Sequence, residues 1–181
     1  MAAISPDSKK FKDILDTLLN LPTYIKHIIW DVSEVLVSGQ QKKKMLEALE
    51  NNLKYTPPSW YYTLIKELPK RFSMGILSNT SVPDLYEKYM HFSKYFSPIV
   101  YAIKENTPKP LPEAYKLYLK KLSKKEPNLL YHNIAMIDDK AHNLLIPAKL
   151  GIYTIHIKKP FRTVPEVHKP FIKMTITNWP D

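Results

Sequence analysis

Ile28-Ile29-Trp30-Asp31-Val32-Ser33-Glu34-Val35-Leu36-Val37 decides how this chain is read. Its first three residues are apolar without period-2 alternation, the pattern of a short strand buried on both faces. The run ends in a carboxylate, Asp31, and polar residues separate it from a second apolar run. In an open parallel sheet, ligands bind beyond the carboxyl ends of the strands, so an acid at that point is placed for chemistry. An isolated Asp after a strand also starts turns and caps helices, so Asp31 needs partners before it carries meaning.

Composition bounds the alternatives. The chain has 181 residues, 44% hydrophobic and 24% charged, and no cysteine. That fits one globular domain over 1–181 and excludes disulfides and thiolate-ligated metal. The most apolar window, 14–30, contains Asp16, Asn20, Pro22 and Lys26, which rules out a membrane span there. Asp7, Lys9 and Lys10 interrupt the amino terminus where a secretory signal would be apolar, so a cytoplasmic location is expected. The net charge of +10 favours anionic partners. Only Arg71 and Arg162 are arginines, however, and arginine is the usual reader of guanine edges, so nucleic-acid recognition is disfavoured. Clusters such as Lys42–Lys44 and Lys124–Lys125 read as solvated helix faces.

Outward from Asp31, helices and strands alternate. Ser5-Pro6-Asp7 reads as a helix start, and Phe11, Ile14, Leu15, Leu18 and Leu19 give that helix one apolar face. A second helix is expected over 40–53, with Met45, Leu46, Leu49 and Leu53 on one face. A third, marked by Trp60, Leu64, Ile65 and Leu68, ends at Pro69. Met74-Gly75-Ile76-Leu77, Ile99-Val100-Tyr101-Ala102-Ile103, Ile134-Ala135-Met136-Ile137 and 152–157 read as further strands, with helices after Pro83, around Tyr115–Leu122 and over 141–148. Gly151 stands where a helix C′ glycine belongs, and Met174-Thr175-Ile176 is a candidate edge strand. Alternation of this kind predicts a three-layer α/β sandwich of Rossmann type, with a mainly parallel sheet of five or six strands.

The polar residues can then be sorted by strand ends. Strand one ends in Asp31, strand two in Ser78-Asn79 and strand four in Asp138-Asp139, while Lys109 lies in the loop after strand three. A parallel sheet brings them to one edge. A carboxylate nucleophile, a hydroxyl, a cation and an acid pair suffice for Mg²⁺-assisted phosphoryl transfer.

In this order the residues resemble the haloacid dehalogenase-like (HAD) hydrolase superfamily over 26–157. The motifs are Trp30-Asp31-Val32-Ser33-Glu34-Val35-Leu36, Ile76-Leu77-Ser78-Asn79, Lys109-Pro110-Leu111-Pro112-Glu113-Ala114-Tyr115 and Ile137-Asp138-Asp139-Lys140-Ala141-His142-Asn143. The last is similar to the signature of the subfamily whose helical cap follows the first motif. The resemblance implies that Asp31 attacks phosphorus to form an aspartyl-phosphate, that Ser78 and Lys109 hold the phosphoryl oxygens and charge, and that a small phosphorylated substrate is consumed. It implies Mg²⁺ on Asp31, Asp138 and the main-chain oxygen of Ser33, with Asn79 and Asp139 in support.

The departure from the pattern is Ser33, where phosphatases of this family place a second Asp as general acid and base. A serine hydroxyl cannot serve near neutral pH, and losing such a group costs about 10²–10⁴-fold in rate. Glu34 is expected in extended backbone, its side chain pointing away from Asp31. Three readings follow: a slow phosphatase or phosphotransferase favouring good leaving groups, an inactive relative that binds a phosphorylated ligand or a protein, and a dehalogenase. The last requires an arginine near the site, for which Arg71 is the nearest in sequence. Residues 38–58 leave room for only a reduced helical cap, so an open site is expected.

Overall fold

The computed structural model describes residues 6–180, with side chains from Phe11 onward. The expected cap at Ser5 lies outside the described residues. Strands β1 (His27–Trp30), β2 (Ser73–Ser78), β3 (Ile99–Tyr101), β4 (Ile134–Asp138), β5 (Tyr153–Ile157) and β6 (Met174–Ile176) form one sheet of six, in the order β3-β2-β1-β4-β5-β6. Every pair is parallel. The candidate edge strand is real: Met174 pairs with Ile155 of β5. The order reverses between β1 and β4, the position where doubly wound sheets open a crevice.

The strands separate two cores. Ile28 and Trp30 of β1, Met74 and Ile76 of β2, and Ala135 and Ile137 of β4 face one core. It is closed by α1 (Pro6–Leu19), α3 (Ser59–Glu67), α4 (Pro83–Met90), α5 (Phe92–Tyr95) and Trp179. Ile29, Leu77 and Met136 face the other, under α6 (Pro112–Lys125) and α7 (Leu145–Lys149). Burial on both faces explains why these strands carry no alternation in sequence. Trp30, Phe11, Trp60 and Trp179 pack ring against ring, with centroids 5.6–6.3 Å apart.

Three local expectations are corrected. Helix α2 (Gly39–Glu50) forms behind a capping box between Ser38 and Gln41, but it buries Gln41, Met45 and Ala48. Leu46, Leu49 and Leu53 are 36%, 45% and 62% exposed, so the apolar stripe faces outward. The helix expected over 141–148 is a 3-10 turn (Ala141–Leu144) followed by α7. Pro147 supplies no N–H and its ring crowds the carbonyl four residues back; that carbonyl, Asn143 O, accepts from the Tyr115 hydroxyl at 2.8 Å instead. Strand β3 stops at Tyr101: Ala102 still donates to Ser78 O at 2.8 Å, and the chain then turns, with Thr107 N donating back to Ala102 O at 2.9 Å. No described helix is long and apolar enough to cross a membrane.

Candidate active site

Each predicted residue arrives by a different route. Asp31 follows the last residue of β1, its N–H donating to Ile137 O at 3.0 Å, which keeps it in line with the sheet. Asp138 ends the neighbouring strand β4. Lys109 comes from the loop after β3 and is locked by a reciprocal amide clamp. Asn79 Nδ2 donates to Lys109 O and Lys109 N donates to Asn79 Oδ1, both at 2.8 Å. The clamp aims the ammonium between the two strand ends. Lys109 Nζ lies 3.0 Å from Asp31 Oδ1 and 2.6 Å from Asp138 Oδ2.

The group is removed from water. Asp31 and Lys109 are each 5% exposed, Asp138 0% and Asp139 1%. Asp31 is buried, and residues 38–58 contain the single helix α2. Burial raises the Asp31 carboxyl above its ordinary value; Lys109 opposes this and Asp138 adds to it. For Lys109, burial pulls the ammonium down, but Asp138 and Asp31 together outweigh it and the net shift is upward. An ion-paired ammonium is the outcome.

Asp138 is fully engaged. Besides Lys109, Asn143 Nδ2 donates to both of its oxygens at 3.0 Å, and Lys140 N donates to Oδ1 at 2.8 Å. Asp139 is the opposite case. Neither carboxylate oxygen accepts a hydrogen bond among the described residues, and the nearest counter-charge among them is Arg162, with NH1 2.9 Å from Oδ2. Burial, then Asp138 and Asp31, push its carboxyl up to about 7 against the pull of Arg162. Ligand oxygens of Asp31, Asp138 and Asp139 lie within 4.8 Å of one another. Three carboxylates, one of them with neither oxygen in a hydrogen bond among the described residues, fit a hard divalent cation such as Mg²⁺.

The remaining predicted residues are also placed. Ser78 is buried, and its hydroxyl accepts from Thr80 N at 3.3 Å. Ser33 is exposed on a turn closed by Glu34 N to Val37 O at 2.8 Å, and it shares the Tyr86 phenol with Thr80. Glu34 is not extended. It has a φ of 64°, its Oε1 accepts from Gly39 N at 3.0 Å, and Lys159 Nζ stands 3.9 Å from Oε2. Its carboxylate is thus engaged at the start of α2. Arg71 hydrogen-bonds the Leu21 and Pro22 carbonyls ahead of β1, at the opposite edge of the sheet. Arg162 is the arginine that reaches the site. It follows Pro160 in irregular chain, where no periodicity could have flagged it.

No protein-family model matches this sequence, and no curated protein matches it. Solved structures do. One described as a dehalogenase superposes with a TM-score of 0.58 at 13% identity, covering 86% of this chain and 94% of its own. A HAD-family enzyme of Bacteroides thetaiotaomicron, solved with magnesium and inorganic phosphate, superposes with a TM-score of 0.54 at 17% identity, covering 76% and 96%. A HAD-superfamily hydrolase of subfamily IA from Geobacter sulfurreducens gives 0.54 at 16%, covering 84% and 94%. At such identities the likeness is one of fold. The fold of this chain is that of the haloacid dehalogenase-like superfamily.

Proposed function

We propose that this chain is a Mg²⁺-dependent phosphatase or phosphotransferase acting on a small phosphorylated substrate through Asp31. In this reading 1–181 is one domain and 38–58 a reduced cap. The observation that carries it is the meeting of Asp31, Lys109 and Asp138, drawn from three separate segments, in one buried ion-paired group at the switch point. A buried charged cluster has no stability rationale of its own, since apolar replacements of similar volume do as well or better. Functional demand accounts for it.

In the proposed reaction an Asp31 oxygen attacks phosphorus, an O–P bond forms, and the bond to the leaving oxygen breaks. Lys109 offsets the charge shared by the nucleophile and the phosphoryl group, and the Ser78 hydroxyl holds one phosphoryl oxygen. Water then cleaves the aspartyl-phosphate. Asp31, Asp138 and Asp139, with the main-chain oxygen of Ser33, would hold the cation, which when bound supplies Lewis-acid stabilisation of phosphoryl charge. Ser33 gives the leaving oxygen no proton, so aryl and acyl phosphates, whose leaving groups need none, are preferred.

With Mg²⁺ the protein should turn over p-nitrophenyl phosphate, and Asp31→Asn should abolish it; turnover that persists in the variant rules the mechanism out. Ser33→Asp should raise turnover of alkyl phosphates more than of aryl ones, by up to about 10²-fold. An equal gain on both would contradict the account of the missing acid. A second reading, a ligand-binding protein without turnover, is favoured by Ser33 and by the guanidinium seated on Asp139. It predicts thermal stabilisation by phosphate esters with no product formed.

A further inference from the structure

After β5 the chain runs as residues 158–173 from the carboxyl edge of the sheet back to the start of β6, which is parallel to β5. Two clefts lie along this strap. One, about 360 Å³, is lined by Asp139, Lys140, His142, Phe161, Arg162 and His168, among others. The other, about 610 Å³, is lined by residues including His156, Lys158, Arg162, Lys169, Val164 and Ile172. They share His156, Arg162 and Thr163, and so adjoin. The pair begins at a carboxylate of the candidate cation site and leads away from it along the strap.

The chemistry of the lining is one-sided. Lys140, Lys158, Arg162 and Lys169 face a single acid, Asp139, and Arg162 alone is paired with it. Lys169 also reaches Glu166, which lines neither cleft. Val164, Ile172, Pro160 and the exposed Phe161 ring supply apolar wall. Cations beside an apolar wall suit an organic anion.

We propose that this strap groove binds the body of the substrate and recognises an anionic group, a phosphate or a carboxylate, carried at a distance from the reacting phosphate. The inference rests on the phosphoryl-transfer reading and gives it a substrate class. It also moves selectivity from the cap, reduced here to α2, to the segment after β5.

Alkyl phosphonates test it, because Asp31 cannot break their P–C bond. Wild-type protein with Mg²⁺ is titrated calorimetrically with butylphosphonate, butane-1,4-bisphosphonate and 5-phosphonopentanoate. At least one doubly anionic ligand should bind about tenfold tighter than butylphosphonate, beyond the twofold statistical advantage of a symmetric ligand. A better bisphosphonate identifies the distal group as phosphate, and a better phosphonopentanoate as carboxylate. Lys158→Gln/Lys169→Gln changes two exposed side chains and should cut the preference to about threefold or less. Equal affinity for all three ligands, or a preference that survives the double variant, overturns the groove and leaves the phosphoryl reading standing. Failure of every ligand to bind overturns both.

Discussion

The two edges of the sheet each bury a polar network, and the networks differ in kind. At the amino edge, His27 stands between the Ser73 hydroxyl and the Tyr118 hydroxyl, 2.7 Å from each. Burial, with Lys125 nearby, depresses its imidazole to about 3, so the ring is neutral and its hydrogen bonds are complete. At the carboxyl edge, one ammonium is shared between two carboxylates while a third accepts no hydrogen bond among the described residues and is met by the Arg162 guanidinium on one oxygen. The first network closes round the imidazole, leaving Glu126 Oε1 buried without a hydrogen bond 3.7 Å from His27 Nδ1. The second carries surplus negative charge and open valence, the condition of a site built to receive something. Neither polar burial nor an unmatched atom marks function alone; carboxylates gathered round one ammonium at the switch point do.

The largest expected effect tests that distinction through Lys109. Lys109→Met leaves Asp31 and Asp138 buried without their shared cation, and removing one partner from a buried pair costs about 3–5 kcal/mol. Chemical denaturation in EDTA should show that loss, and Mg²⁺ should restore part of it by binding only the folded form. A variant as stable as wild type in EDTA would mean that the carboxylates are not held charged. The matching change at the amino edge is Gly75→Ala. A methyl there would meet the Tyr118 hydroxyl at 2.0 Å and the Pro98 carbonyl at 2.6 Å. Overpacking of this sort costs about 1–3 kcal/mol, and Mg²⁺ should recover none of it.

The sheet and its edge were legible because apolar runs ending in acids are a strong local signal. Asp31 and Asp138 stand at the ends of runs with no alternation, and parallel pairing then makes them neighbours. Asn79 was legible as a neighbour of Ser78, but its grip on the backbone of Lys109, 30 residues on, was not. The outward face of α2 escaped because Met45 and Leu46 are adjacent, and hydrophobicity does not say which one points inward. Arg162 escaped for a different reason: an irregular segment has no period, so its side-chain direction is set by tertiary contacts alone. Its place on Asp139 could come only from coordinates.

The smallest expected effect is a pH dependence of opposite sign at the two edges. The folded-state pKa of His27, about 3, lies below its ordinary 6.5, so the unfolded chain takes up protons first as pH falls. The stability His27 contributes is intact above pH 6.5 and is lost on acidification. The Asp139 value, about 7, lies above its ordinary 3.8, so the folded state binds the extra proton and the contribution of Asp139 is lost as pH rises. Between pH 5.5 and 6.5 each contribution amounts to about 1 kcal/mol. In EDTA, wild type should therefore gain about 1 kcal/mol relative to His27→Gln as pH rises across that interval, and lose a similar amount relative to Asp139→Asn. Mg²⁺ should abolish the second difference, because a bound cation favours the carboxylate that burial disfavours, and should leave the first unchanged. If both differences respond to Mg²⁺, the two edges are coupled and the division between a closed structural network and an open functional one fails.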